Sequence, residues 1–220
     1  LVVWDASHAV GVVDLTFDRD DVDLAVGCTY KYGNSGPGSP AWLYVHQRLQ
    51  ETLRVPIQGW FAQRDQFAMG QGFDRAIGMR GFQIASPSII GTRCIEAAFT
   101  MIEEATLSAI AAKAALGTDM MVRLHDAWLA PLGFELTTPR NPSRRGGHIT
   151  LRHPDAKVIA TAMREMVKVI PDYREPSSIR LAMSPLATSF TEVYDGFERI
   201  RDLVTSGAYR RAQFSTSRVT

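Results

Sequence analysis

Val22-Asp23-Leu24-Ala25-Val26-Gly27-Cys28, running on through Thr29-Tyr30 into Lys31-Tyr32-Gly33-Asn34-Ser35-Gly36-Pro37-Gly38-Ser39-Pro40, is the stretch that decides the fold. Its first seven residues are an apolar run of strand length, and residues 31–40 are too rich in Gly, Pro and Ser to continue as strand or helix. Upstream, Leu1-Val2-Val3-Trp4 is a second apolar run, ending in Asp5; downstream, Ala41 to Val45 is a third. Short apolar runs divided by such punctuation predict buried strands of an α/β sheet, with 31–40 as a loop at its edge. A chain that opens directly on a strand, without Met, is expected to be a fragment whose N-terminal part is absent.

Beyond a Gly-rich stretch from Gly59 to Gly81, residues from Ile89 to about Leu116 are rich in Ala, Ile, Met and Glu and read as one long helix or two in series. Gly117 reads as a stop, and a further helix is expected from about Asp119 to Leu129, before Pro131 and Gly133. The pattern then becomes α+β. Strands are expected near Phe134–Thr138, at His148–Arg152 and at Ile179–Ala182. Val158, Ile159, Ala162, Met163, Met166 and Val167 form the apolar stripe of a helix covering a sheet face. Ser189-Phe190-Thr191-Glu192 has the form of a capping box, opening a helix with Val193, Phe197, Ile200 and Val204 inward. The polar residues from Ser206 are expected to fray. The division predicted is 1–88, the later part of a large α/β domain with a mostly parallel sheet; 89–118, a connecting helical region; 119–205, a small α+β domain; and 206–220, a disordered tail.

With 45% hydrophobic and 21% charged residues, the 220-residue chain is not disordered as a whole. Its 24 basic and 23 acidic residues leave a net charge of +1, without the basic footprint of a nucleic-acid reader. Every apolar run is interrupted well short of about 18 residues, so no membrane-spanning helix is expected. Cys28 and Cys94 make neither a disulfide framework nor a zinc site, which suits a reducing, cytosolic compartment. His148 and His153, five apart on a strand, face opposite ways and make no metal site; His46 and His125 read as surface or capping residues.

The chemistry is expected where strands end. Lys31 follows one apolar run, at the carboxyl end where α/β sheets place ligands. A desolvated lysine there acts as an amine nucleophile toward a carbonyl; the alternative is a lysine at a loop mouth with its head in water. Asp5 ends another run, with His8 three residues on. An acid and a lysine at the ends of two strands suggest a pyridoxal phosphate site, in which Asp5 holds the pyridine nitrogen protonated and Lys31 bonds the aldehyde.

At these residues the sequence resembles the kynureninases, pyridoxal-phosphate enzymes of the aspartate-aminotransferase fold type. The resemblance rests on Trp4-Asp5-Ala6-Ser7-His8-Ala9-Val10-Gly11, on Val26 to Tyr32, on Asn34-Ser35-Gly36-Pro37-Gly38, on Gly59-Trp60-Phe61, and on Ile179-Arg180-Leu181-Ala182 with Pro185-Leu186 and Ser189-Phe190. It runs in the family's order up to about Val204, and its most specific part is Tyr30-Lys31-Tyr32 with Asn34 and Gly36. It implies that Lys31 is the Schiff-base lysine and Asp5 the partner of the pyridine nitrogen, with His8 beside the cofactor. Tyr30 and Trp60 look like phosphate-contacting groups, Tyr30 also like an acid/base, and Arg180 like the clamp on the substrate's α-carboxylate. Ser86 falls where the family has Asn or Thr near the phosphate.

The activity implied is hydrolysis of L-kynurenine, or its 3-hydroxy form, to anthranilate or 3-hydroxyanthranilate and L-alanine, in tryptophan catabolism leading to NAD. A cytosolic homodimer with sites at the subunit interface is implied too. The family's phosphate loop and ring-stacking residues lie in a part this chain lacks, so the chain alone is expected to bind the cofactor weakly. Two other readings stay open: a related aminotransferase or desulfurase, against which no Cys sits in a Gly-rich loop, or a non-catalytic fragment.

Overall fold

The apolar run at 22–28 becomes the middle strand of a three-stranded sheet. In the computed structural model, which describes residues 1–212, β1 (Val3–Asp5) pairs parallel with β2 (Leu24–Gly27), and β2 pairs antiparallel with β3 (Trp42–Val45). The sheet thus has one ladder of each sense, where a mostly parallel sheet was expected. Ala25 and Val45 are sealed in the core. Val2, Val3 and Trp4, expected inside, are exposed, because β1 lies at the end of the strand order and pairs on one side alone.

The backbone divides into two compact units, Leu1–Ala105 and the chain from Thr106 onward. The first continues through the one-turn helix α1 (Gln47–Gln50), capped by the His46 side chain as its sequence suggests, and two 3-10 turns at Trp60–Ala62 and Gly78–Phe82. It ends with α2 (Ile89–Ala105), which buries Gly91, Ala98 and Ile102.

The second unit opens with α3 (Leu107–Leu124), so the long helical stretch is two helices in series, interrupted at Thr106 with φ 63°. Gly117 is not a stop. It lies buried inside α3, where an added Cβ would fall 1.9 Å from Sδ of Met183, so the small residue makes room for a tertiary contact. The helical path continues through a π turn (His125–Leu129) and a 3-10 turn (Ala130–Leu132) to Gly133, whose left-handed φ of 90° ends it. The strands β4 (Glu135–Leu136), β5 (His148–Arg152), β6 (Asp172–Arg174) and β7 (Ser178–Ala182) form an antiparallel sheet ordered β4-β5-β7-β6. Period-2 alternation puts Ile149, Leu151, Ile179 and Leu181 on one face. There they join Ile159 and Met163 of α4 (Ala156–Met166) and Phe197 and Ile200 of α5 (Phe190–Thr205) in a single core.

The capping box forms as expected: the Glu192 amide donates to the Ser189 hydroxyl at 3.1 Å, and the Ser189 amide donates to the Glu192 carboxylate at 2.7 Å. His125 is the C-cap of α3 and not a surface residue. It is buried, with Nε2 3.1 Å from the Phe134 carbonyl and Nδ1 2.9 Å from Asp126. The stretch after Ser206 is ordered as far as it is described: Ala208–Arg211 form a 3-10 turn, and buried Tyr209 donates to Asp155 at 2.7 Å. The rest of the expected tail, 213–220, lies outside the described residues.

Candidate functional site

Because β1 and β2 run parallel, their carboxyl ends emerge side by side: Asp5 is in register with Val26, and the Ala6 amide extends the ladder by donating to the Val26 carbonyl at 2.8 Å. This geometry gathers residues far apart in sequence. The Ser7 amide donates to Asp5 Oδ1 at 2.9 Å. The Asp5 carboxyl is held below its ordinary range first by bonds from the Ser7 hydroxyl and amide, then by the nearby charges of Lys31 and His8. Lys31 and His8 therefore both lie within electrostatic reach of Asp5. Ser7, which carries no signal in the sequence beyond its place two residues after the acid, is the group that sets the carboxylate. Its hydroxyl also accepts from the Cys28 amide at 3.3 Å, tying this turn to the exit of β2.

Tyr30 and Lys31 stand on a turn fixed from both ends. Buried Thr29 donates through Oγ1 to the Pro40 carbonyl at 2.8 Å and accepts from the Ser35 amide at 3.3 Å, while the Asn34 amide donates to the Lys31 carbonyl at 3.0 Å. Gly33 is required here, since a Cβ would sit 2.3 Å from the Thr29 carbonyl oxygen. Tyr30 is about half exposed, and the Lys31 ammonium lies 5.8 Å from its ring centroid, within cation–π range.

Trp60 is likewise half exposed, edge-on to Phe61 at 4.9 Å between centroids and 6.5 Å from Phe67. Gly59 explains how this segment meets the one carrying exposed Ser86: a Cβ at Gly59 would fall 1.8 Å from the Ile84 carbonyl oxygen, so the two backbones touch directly. Trp60 and Ser86 thus stand on adjoining segments.

In the second unit Arg180 behaves as the strand period predicts. Its neighbours Ile179 and Leu181 are buried and it projects from the opposite face, in register with Thr150 of β5 and Asp172 of β6. Its Nη2 donates to Asp172 Oδ2. The sequence reading missed both β6 and Asp172; the available signal was the alternation Asp172-Tyr173-Arg174 ahead of Pro176. His153 is buried and locally bonded, its Nδ1 accepting from the Asp155 amide at 2.9 Å. Among the described residues no group of three or more His, Cys, Asp or Glu side chains is placed to hold a metal ion, and no helix is long and apolar enough to cross a membrane.

Residues 110–200 match the family described as the kynureninase C-terminal domain. Over 216 residues, 98% of its length, the chain is 35% identical to a kynureninase of Burkholderia mallei, and over 214 residues it is 31% identical to a kynureninase of Pseudomonas fluorescens. It spans about half the length of these curated relatives, 52% and 51%. Among solved structures, a cysteine desulfurase from Thermococcus onnurineus superposes with a TM-score of 0.76 at 18% identity, over 93% of this chain and 52% of that one. C-DES, solved with glycine covalently linked to its PLP cofactor, gives 0.72 at 15% identity, over 88% and 49%. The structural likenesses establish the fold, and the sequence likenesses carry the closer kinship: the chain resembles the kynureninases over nearly its whole length, and at 110–200 it carries a match to their C-terminal domain.

Proposed function

We propose that this chain is the cofactor-lysine and small-domain portion of a pyridoxal-phosphate-dependent kynureninase, a hydrolase that cleaves the Cβ–Cγ bond of L-kynurenine or 3-hydroxykynurenine. The observation that carries the reading is the placement of Asp5 at the end of β1 and of Lys31 on the turn that follows the parallel neighbour β2, close enough for the lysine's charge to help lower the Asp5 pKa. That donor set suits pyridoxal phosphate: a carboxylate kept charged to meet a protonated pyridine nitrogen, and an amine to hold the aldehyde carbon. When bound, the cofactor supplies an electron sink for charge developing at the substrate's Cα.

The chain's own residues then divide the remaining work. Asp5 keeps the ring-nitrogen proton in place, with Ser7 maintaining the carboxylate's charge and His8 at its side. Lys31, once its Nζ is free, takes the Cα proton as a general base. Tyr30, on the same pinned turn, delivers a proton to Cβ as the Cβ–Cγ bond breaks. Water contributes its hydroxyl to Cγ and its remaining proton to Tyr30, and Lys31 returns its proton to Cα, so that the products are anthranilate, or its 3-hydroxy form, and L-alanine. Arg180 pairs with the α-carboxylate through a planar guanidinium suited to two parallel hydrogen bonds. Trp60 and Ser86, on adjoining segments, donate to the phosphate. The working enzyme is a cytosolic homodimer, and the residues that complete the site lie outside the half of a relative's length that this chain matches. A desulfurase reading is disfavoured by the cysteines: Cys94 lies within α2, and Cys28 is partly buried beside Ser7.

Pyridoxal phosphate added to the purified chain should give a yellow, borohydride-reducible band that Lys31→Ala abolishes. Once the residues that complete the site are supplied with the chain, addition of L-kynurenine should release fluorescent anthranilate. A Lys31→Ala variant that keeps the reducible band would overturn the assignment.

A further inference from the structure

Asp172 serves two arginines with one oxygen. Its Oδ2 accepts from Arg174 Nε at 3.0 Å, lies 2.8 Å from Arg174 Nη2, and accepts also from Arg180 Nη2. The arrangement follows from the sheet. Asp172 and Arg174 are two apart on β6 and so share a face, and Asp172 is directly in register with Arg180 on β7. The three side chains are graded in exposure: Arg180 21%, Asp172 41%, Arg174 58%. The carboxylate is therefore anchored twice to the outer arginine and once to the inner one.

We propose that Asp172 is a displaceable counter-ion of Arg180: it occupies the guanidinium until a ligand carboxylate takes its place, and Arg174 retains it when it lets go. The inference rests on the reading of Arg180 as the carboxylate clamp. An incoming α-carboxylate that binds in the fork of Arg180 claims the Nη2 hydrogen now given to Asp172. With a single bond to lose and two to keep, Asp172 yields without becoming an unpaired charge, which is what makes the exchange favourable. Arg174 is thus a positioning residue, acting on ligand affinity through Asp172. The two variants should move that affinity in opposite directions. Asp172→Asn removes the competing charge and tightens carboxylate binding; Arg174→Gln leaves Asp172 dependent on Arg180 and weakens it.

The test is a titration of the isotope-labelled chain, with pyridoxal phosphate present, using L-alanine as the probe and the Nε–H NMR signal of Arg180 as the readout. The expected result is a dissociation constant lowered roughly two- to fivefold in Asp172→Asn and raised by a similar factor in Arg174→Gln, the range set by a partly exposed ion pair. The double variant should match Asp172→Asn, since Arg174 acts only through Asp172. A purely structural ion pair would weaken binding in both single variants. An Arg180 signal that responds in the wild type but binds no tighter in Asp172→Asn overturns the counter-ion exchange alone. An Arg180 signal that responds in no variant overturns the clamp itself, and the exchange with it.

Discussion

The Ser7 amide donates to Asp5 Oδ1 at 2.9 Å, and the Ser7 hydroxyl is the strongest influence holding the carboxyl below its ordinary range. The charges of Lys31 and His8 lower the same carboxyl to a smaller extent. Ser7→Ala should therefore move the Asp5 titration upward, toward the usual carboxylate value of about 3.9. The sign for stability follows: a depressed folded pKa contributes stability above the ordinary value, and this is lost as pH falls through the depressed one. Carboxyl-carbon NMR titration of Asp5 checks it, and an unchanged midpoint in Ser7→Ala would assign the shift to Lys31 and His8 instead.

Asp126 offers a second acid-sensitive contact, remote from Asp5 in sequence. Arg140 donates to both of its oxygens at 2.8 Å and His125 Nδ1 lies 2.9 Å away, so the carboxyl is held far below the normal range, with Arg140 the main cause. The carboxylate is partly exposed and the fork is bidentate, so Asp126→Asn should cost about 0.5–1 kcal/mol at neutral pH, a shift of a few degrees in melting temperature. Because the folded pKa is lowered, the wild-type advantage is complete above the ordinary carboxylate range and shrinks below about pH 4. Melting curves of both proteins at neutral and acid pH test this; a gap that widens in acid would refute it.

Gly117→Ala separates local propensity from packing. In the interior of α3 the change should stabilise by about 1 kcal/mol on helix propensity alone. The new Cβ, however, would lie 1.9 Å from Sδ of Met183, and overpacking of this kind costs about 1–3 kcal/mol. Net destabilisation is expected in denaturant unfolding, and Met183→Ala in the same chain should recover part of it. A more stable Gly117→Ala would show that Met183 moves aside freely.

These residues show where sequence reasoning reaches and where it stops. The strands at 24–27, 42–45, 148–152 and 178–182 and the capped helix at 190–205 are legible because period and punctuation are local properties. Asp5 and Lys31 stand out because each follows an apolar run. Gly117 was misread because a helix-ending glycine and a glycine admitting a distant side chain are identical in sequence. His125 is the C-cap of α3, one of the two roles its sequence suggests; its burial was illegible because its partners, Asp126 and the Phe134 carbonyl, meet it only when the π turn forms. Ser7 and Asp172 were missed because each acts by bonding a residue that does draw notice, and the local signal at Asp172, one polar-aromatic-polar alternation ahead of Pro176, is faint. The three-residue strand holding Asp172 is also too short to display a period.

Gly59 carries the last prediction. The backbone at Gly59 lies so close to Ile84 that a Cβ would fall 1.8 Å from the Ile84 carbonyl oxygen; neither atom is at the end of a flexible side chain, so Gly59→Ala must push the two segments apart. Trp60 follows one of these residues directly, and Ser86 lies two beyond the other. If these segments hold the phosphate of the cofactor, separating them should remove the advantage of pyridoxal phosphate over pyridoxal, which differs from it only in the phosphate. A variant that is merely destabilised, by the roughly 1–3 kcal/mol typical of overpacking, would weaken both compounds by the same factor. The ratio of the two affinities, measured by absorbance titration on wild type and Gly59→Ala, is therefore the informative quantity. It should fall toward one in the variant, and a ratio equal to that of the wild type would place the phosphate away from these two segments.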